Sequence, residues 1–213
     1  MDRWASFDCY GTLTDWNGGI GRELERLFGA ARGGELLRTY HDVEPRIQRE
    51  APDRSYRDVM AVTLAQLGVP PDEEDALGRS LPEWKPFAEV PAALEEARSR
   101  GWRLAILSNT DRDSLDASLA QIGVEFDLTV VASEIGSYKP SPGHWDEFFA
   151  RSGADREQHV HVGASLFHDI APATALGLRT IWVNRLGEEA EPQPDVELRS
   201  LASLADSLDL LVP

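Results

Sequence analysis

From Pro91 to the end, the chain alternates between helix-like and strand-like segments, and this alternation restricts the fold more than any other feature. PAALEEARSRG (91–101) begins with proline, carries its acids early and its bases late, and closes on Gly101, the signature of a helix. WRLAILSN (102–109) follows and is apolar at both parities, as a strand buried on both faces is. RDSLDASLAQIG, PGHWDEFFARSG and HDIAPATALG repeat the helix signal, the last with Pro172 near its first turn. LTVVAS, HVHVGAS and RTIWVNR repeat the strand signal, and SLASLADSLDLLV closes the chain as an amphipathic helix. With WASFDC (4–9) as the first strand, there are at least five strands joined by helices, which predicts an α/β fold with a doubly wound parallel sheet. EEAEPQPDVE (188–197) has no period and predicts a polar loop.

Residues 15–90 break the alternation. GRELERLFG, ELLRTYHDVEPRIQRE and RSYRDVMAVTLAQLG read as helices, with no convincing strand between them. The expected organisation is an α/β core from 1–14 and 91–213, with a helical cap, 15–90, inserted after the first strand. A chain of 213 residues can bury such a core with a small accessory domain. Its net charge of −16 argues against a nucleic-acid face, which needs clustered Lys and Arg. A single cysteine, Cys9, excludes an intramolecular disulfide. Strand alternation also turns Cys9 away from the side that Asp8 faces. No apolar run approaches the ~20 residues that span a bilayer, and a first strand near Arg3 leaves no room for a leader, so a cytoplasmic protein is expected.

In an open parallel sheet, ligands bind beyond the carboxyl ends of the strands. The residues expected there are Asp8, Tyr10 and Thr12; Ser108, Asn109 and Thr110; Lys139; and Ser165, His168 and Asp169. A lysine beside Asp8 would hold it ionised, Asp169 would hold the lysine, and the turn after Asp8 would offer amides to developing negative charge. That set describes an activated carboxylate nucleophile. Singly, each residue has a plainer reading. Asp8 and Asp169 can cap a loop and a helix, Ser108-Asn109-Thr110 can cap the next helix, and Lys139 can be a solvated turn residue.

These residues carry a resemblance. FDCYGTLTD around Asp8, LSNT (107–110), YKPSP (138–142) and VGASLFHDIAPA (162–173) resemble, in order, the four motifs of the haloacid dehalogenase superfamily. The resemblance implies that Asp8 forms a covalent intermediate that water hydrolyses, assisted by Thr12, Ser108, Lys139 and Asp169. It further implies a small cap that shapes substrate choice. Phosphatases of the superfamily resemble Asp-x-Asp-x-Thr, whose second acid protonates a leaving alkoxide; here Tyr10 stands in that place, as in the 2-haloacid dehalogenases with Asp-x-Tyr-Gly-Thr-Leu. Ala164 replaces an acid that would help hold magnesium. No cofactor is therefore expected. Under the phosphatase alternative, Asp8, Asp169 and the Tyr10 backbone would hold magnesium, with His168 a stand-in acid; a silent ligand-binding descendant is the other alternative. Tyr10, Asn109, His41 and His168 are the expected substrate-binding residues, for a small anionic organic substrate. The halide-binding arginine of the family falls at Tyr40-His41, with Arg38 and Arg46 nearby, and its tyrosine after the third motif is Trp145. No nucleic-acid or membrane partner is expected; a homodimer is compatible with the chain.

Overall fold

The computed structural model describes residues 2–51 and 54–213; of the expected core and cap ranges, Met1, Pro52 and Asp53 lie outside it. Six strands, β1 (Arg3–Phe7), β2 (Trp102–Ser108), β3 (Leu128–Val131), β4 (His159–Gly163), β5 (Arg179–Val183) and β6 (Val196–Leu198), form one sheet in the order β3-β2-β1-β4-β5-β6. Every neighbouring pair is parallel, with Phe7 opposite both Ile106 and Val162. The sixth strand corrects the expectation of a loop over 188–197. Val196 and Glu197 pair with Ile181 and Trp182, so a short edge strand forms where the sequence shows no period.

Ten helices accompany the sheet among the described residues: α1 (Trp16–Phe28), α2 (Ala30–Glu50), α3 (Tyr56–Leu67), α4 (Ala76–Ser80), α5 (Val90–Ser99), α6 (Arg112–Ile122), α7 (Ala132–Ile135), α8 (Gly143–Ser152), α9 (Ala171–Ala175) and α10 (Leu204–Leu211). Strand parity sorts the core. Ala5, Phe7, Leu104, Ile106, Val160 and Val162 face α5, α6 and α10 on one side, joined by Cys9. Trp4, Ala105, Leu107 and Val130 face Trp145 and Phe148 of α8 on the other. Asp8 continues the parity of Trp4 and Ser6, opposite that of Cys9, which is buried.

The helices between Trp16 and Glu83 make a hydrophobic cluster of their own, from Ile20 and Leu24 through Met60 and Leu64 to Trp84. Tyr10 packs against this cluster and the sheet cluster together. The two parts are also tied by polar contacts. Asp111, after β2, accepts from the first amides of α3, Tyr56 N at 3.1 Å and Arg57 N at 3.0 Å, which places a carboxylate at a helix N-terminus. Tyr138 donates to the carbonyl of Arg54 at 2.7 Å.

Candidate active site

The chain runs β1, β2, β3 toward one edge and then returns beside β1 as β4, so the sheet switches direction between β1 and β4. Loops after those two strands diverge and leave a crevice. Asp8 follows β1 and the turn Leu166–Ile170 follows β4, so both open onto it. The turn after Asp8 reverses at Gly11, whose φ of 89° favours glycine, and closes with Leu13 N and Thr14 N donating to the Cys9 carbonyl. Gly163 is needed for a different reason: a Cβ there would stand 2.4 Å from the Cβ of Asp169.

Lys139 lies at the centre. Its Nζ donates to Asp8 Oδ1 at 3.0 Å, Asp169 Oδ1 at 2.6 Å and the Leu107 carbonyl at 2.8 Å. An ammonium has three N–H bonds, so all of its donors are used. Thr12 Oγ1 donates to the other oxygen of Asp8 at 3.0 Å and accepts from Ala164 N at 2.9 Å. Asp169 takes the shorter bond to the lysine and also accepts from Ser165 N at 3.3 Å. Burial pushes the Asp8 carboxyl up to about 6, with Lys139 pulling the other way and the Asp169 charge adding to the rise. For Asp169 burial acts in the same sense but is outweighed by Lys139 and His161, which hold it ionised well below the usual carboxylate range. The shared cation thus favours Asp169 and leaves Asp8 the more basic of the two.

Asp8, Tyr10, Ser108, Asn109, Lys139, His168 and Asp169 line one chamber of about 230 Å³, with His41 of α2 across from them. Thr12 lies outside its lining and acts on Asp8. The Ser108 hydroxyl is buried and has no partner among the described residues, so it is not a helix cap and is free for a ligand. Asn109 clamps the lysine loop: its Oδ1 accepts from Lys139 N at 2.7 Å and its Nδ2 donates to the Lys139 carbonyl at 3.0 Å. Tyr10 turns its hydroxyl away toward α6, to Ser118 Oγ at 3.0 Å and the Ser114 carbonyl at 3.2 Å, and presents its ring to Tyr56 and Trp84. His168 is neutral near pH 7, because burial lowers its pKa to about 4, and its Nδ1 meets Ser165 Oγ at 3.2 Å.

Of the arginines of α2, Arg38 borders a neighbouring cavity that shares Tyr10, Trp16, His41 and Ser165 with the chamber, and Arg46 bonds the Asp42 carbonyl. No arginine among the described residues lines the chamber itself. Trp145 is fully buried against His161 and does not line it either.

Two groups escaped the sequence reading. Glu44 and Gln48, one turn apart on α2, both line the chamber, and Gln48 Nε2 donates to Glu44 Oε1. Behind Asp169, a buried chain runs from His161 Nε2 at 3.4 Å through His161 Nδ1 and Ser6 Oγ at 2.8 Å to His159 Nε2 at 2.8 Å. The spacing HVH on one strand with Ser6 at matching parity on its neighbour was the available signal for that chain.

A parallel sheet in this order, with a chamber at its switch point, is an α/β fold with its crevice where such folds bind ligands. Residues 3–177 match the family model described as haloacid dehalogenase-like hydrolase. An (S)-2-haloacid dehalogenase of Pseudomonas sp. (strain YL) is 30% identical over 214 residues, covering 94% of this chain and 92% of that one. A glyceraldehyde 3-phosphate phosphatase of Methanothermobacter thermautotrophicus is 33% identical over 109 residues, half of this chain (50%) and 48% of its own. The solved L-2-haloacid dehalogenase from Xanthobacter autotrophicus superposes with a TM-score of 0.85 at 21% identity, covering 98% of this chain and 99% of that one, a likeness of fold. The chain belongs to the haloacid dehalogenase-like hydrolases, and is 2-haloacid dehalogenase-like within them. None of its described helices is long and apolar enough to cross a membrane.

Proposed function

We propose that this hydrolase cleaves the carbon–halogen bond of a small 2-halocarboxylic acid through an aspartyl ester on Asp8. The observation that carries the reading is Tyr10: the residue two places after the nucleophile offers no proton to the chamber, because its hydroxyl is committed to α6. A leaving alkoxide gains from a proton and a halide ion does not need one. An Asp8 oxygen attacks the carbon, the carbon–halogen bond breaks, and the halide departs with its electron pair. Water then adds to the Asp8 carbonyl carbon, the ester bond to Asp8 breaks, and the hydroxy acid leaves with one net proton released to solvent. Each Asp8 oxygen has a donor, Lys139 or Thr12, so whichever one is left out of the ester has a partner for its developing charge. Ser108 Oγ supplies a further donor. Asp169 keeps Lys139 in place; its low basicity makes it a poor acceptor for the proton of water. Asn109 holds the lysine loop, and residues 15–90 act as the cap that closes the chamber.

A hard divalent cation suits these residues badly. The two carboxylates at the strand ends, Asp8 and Asp169, both aim an oxygen at the Lys139 ammonium, and Ala164 adds none. No cluster of three or more His, Cys, Asp or Glu among the described residues is placed to hold a metal ion. His168, unprotonated near pH 7, is no stand-in acid for an alkoxide leaving group. Halide release from 2-chloropropionate without added metal is expected. Magnesium-dependent phosphate release from an aryl phosphate, with no halide release, would replace this reading with a phosphatase.

A further inference from the structure

A carboxylate substrate entering the chamber finds no free cation. Lys139 has spent its three N–H bonds on protein oxygens, and no arginine is present in the lining. The cap wall instead offers Glu44 and Gln48, both nearly inaccessible to solvent, beside His41. Gln48 Nε2 donates to Glu44 Oε1, so in the neutral acid Oε1 is the carbonyl oxygen and Oε2 carries the proton. Pro45, between the two residues and also in the lining, has no N–H to return to the carbonyl of His41 and so breaks the ladder of α2 beside Glu44.

We propose that Glu44, oriented by Gln48, is the substrate-recognition group of the cap, and that as a neutral acid it donates the hydrogen bond that receives the substrate carboxylate. For the identity of the ligand this rests on the halocarboxylic-acid reading above. The anion and Glu44 then share one proton in a chamber whose one ammonium already has its three N–H bonds on protein oxygens. An ionised Glu44 would repel the same ligand across a chamber that already holds Asp8 and Asp169.

The groups around Glu44 leave a clear titration window. Burial pushes Glu44 up to about 7, with the bond from Gln48 acting in the opposite sense. On its own helix, His41 is lowered by burial and Tyr40 is raised well above its ordinary value, while Arg49 acts on His168. From α3, Tyr56 is likewise raised, as is Tyr138 in the lysine loop; α1 contributes Trp16, which does not titrate. On the sheet side, His168 and Asp169 titrate far below neutrality and Lys139 is raised above its ordinary value. Asp8, at about 6, is the one neighbour close to the window, and an Asp8→Asn enzyme removes it.

The test is therefore binding of 2-chloropropionate to the Asp8→Asn enzyme from pH 6 to 9, by calorimetry in two buffers of different ionisation enthalpy. The expected Kd is flat below about pH 7 and weakens about tenfold per pH unit above it, with close to one proton taken up on binding at pH 8. Adding Glu44→Gln should abolish both the slope and the proton uptake. Adding Gln48→Leu should move the onset to higher pH, since the bond that favours the ionised form is gone. A pH-independent Kd, a slope that survives Glu44→Gln, or no binding at any pH overturns the proposal. Wild-type halide release is measured in parallel. If it is absent while the Glu44-dependent slope is present, the halide reading fails and the recognition proposal stands.

Discussion

On the sheet side of the chamber, Asp8, Lys139, Asp169, His161 and Ser6 form an unbroken run of ion pairs and hydrogen bonds in which the ammonium has no spare donor. On the helical side, Glu44 and Gln48 bond to each other, and His41 stacks edge-on against Trp16 at 4.8 Å. The ammonium of the first wall is fully satisfied within the protein, which suits a group that must hold one geometry through two chemical steps. The second keeps donors open to a ligand, which suits selection. In the proposed reaction, chemistry and recognition thus fall on different elements, one on strand ends and one on a helix.

The contrast can be broken most severely at Asp8. Asp8→Asn should reduce halide release by at least about 10⁴-fold, read as initial rates, because no other carboxylate in the chamber is free to attack. Removing Lys139 as Lys139→Met leaves two buried carboxylates facing each other without a counter-ion. Denaturant titration should register a loss of roughly 3–5 kcal/mol at neutral pH, and any residual activity should need a higher pH, since Asp8 loses the partner that favours its charge. A stability equal to wild type would mean the ammonium is not shared as described.

The two walls should also answer differently to pH. Asp8 acts as its anion, so kcat/KM should fall as pH drops through about 6, and the fall should persist in Glu44→Gln. Glu44 is proposed to act as its neutral acid instead. Its folded pKa is raised from 4.5 to about 7, so the proton it holds stabilises the fold below about 4.5, and that contribution is lost as pH rises through 7. Relative to wild type, Glu44→Gln should gain stability between those limits, by roughly 3 kcal/mol if the whole shift is expressed. A constant difference across that range would show that Glu44 does not titrate as a buried acid. The mildest expected change is Tyr10→Phe. It removes the bonds to Ser114 and Ser118 and costs about 1 kcal/mol, with halide release close to wild type.

Strand ends were readable because parity and register decide them. Asp8 shares the face of Trp4 and Ser6, and Lys139 and Asp169 fall in the loops after β3 and β4, so a sequence with clear strands puts all three on one edge. Helix faces were not. Glu44 and Gln48 have the i, i+4 spacing of an ordinary solvated helix, and only the packing of α2 against α1 and α3 turns that face toward the sheet. Ser108-Asn109-Thr110 read as a cap on composition, yet Asn109 serves the lysine loop and the N-cap position of α6 falls to Asp111, whose carboxylate serves α3. Three-residue β6 carries too few positions for a period and owes its existence to the free edge of β5.

The central claim is that Asp8 itself, not an activated water, attacks the substrate. Multiple turnovers of 2-chloropropionate in oxygen-18 water, followed by mass analysis of the peptide containing Asp8, test it directly. Heavy oxygen is expected in the Asp8 carboxylate, and a single turnover with enzyme in excess should give a hydroxy acid whose new oxygen is light. Label in the single-turnover product, with an unlabelled Asp8, would contradict it.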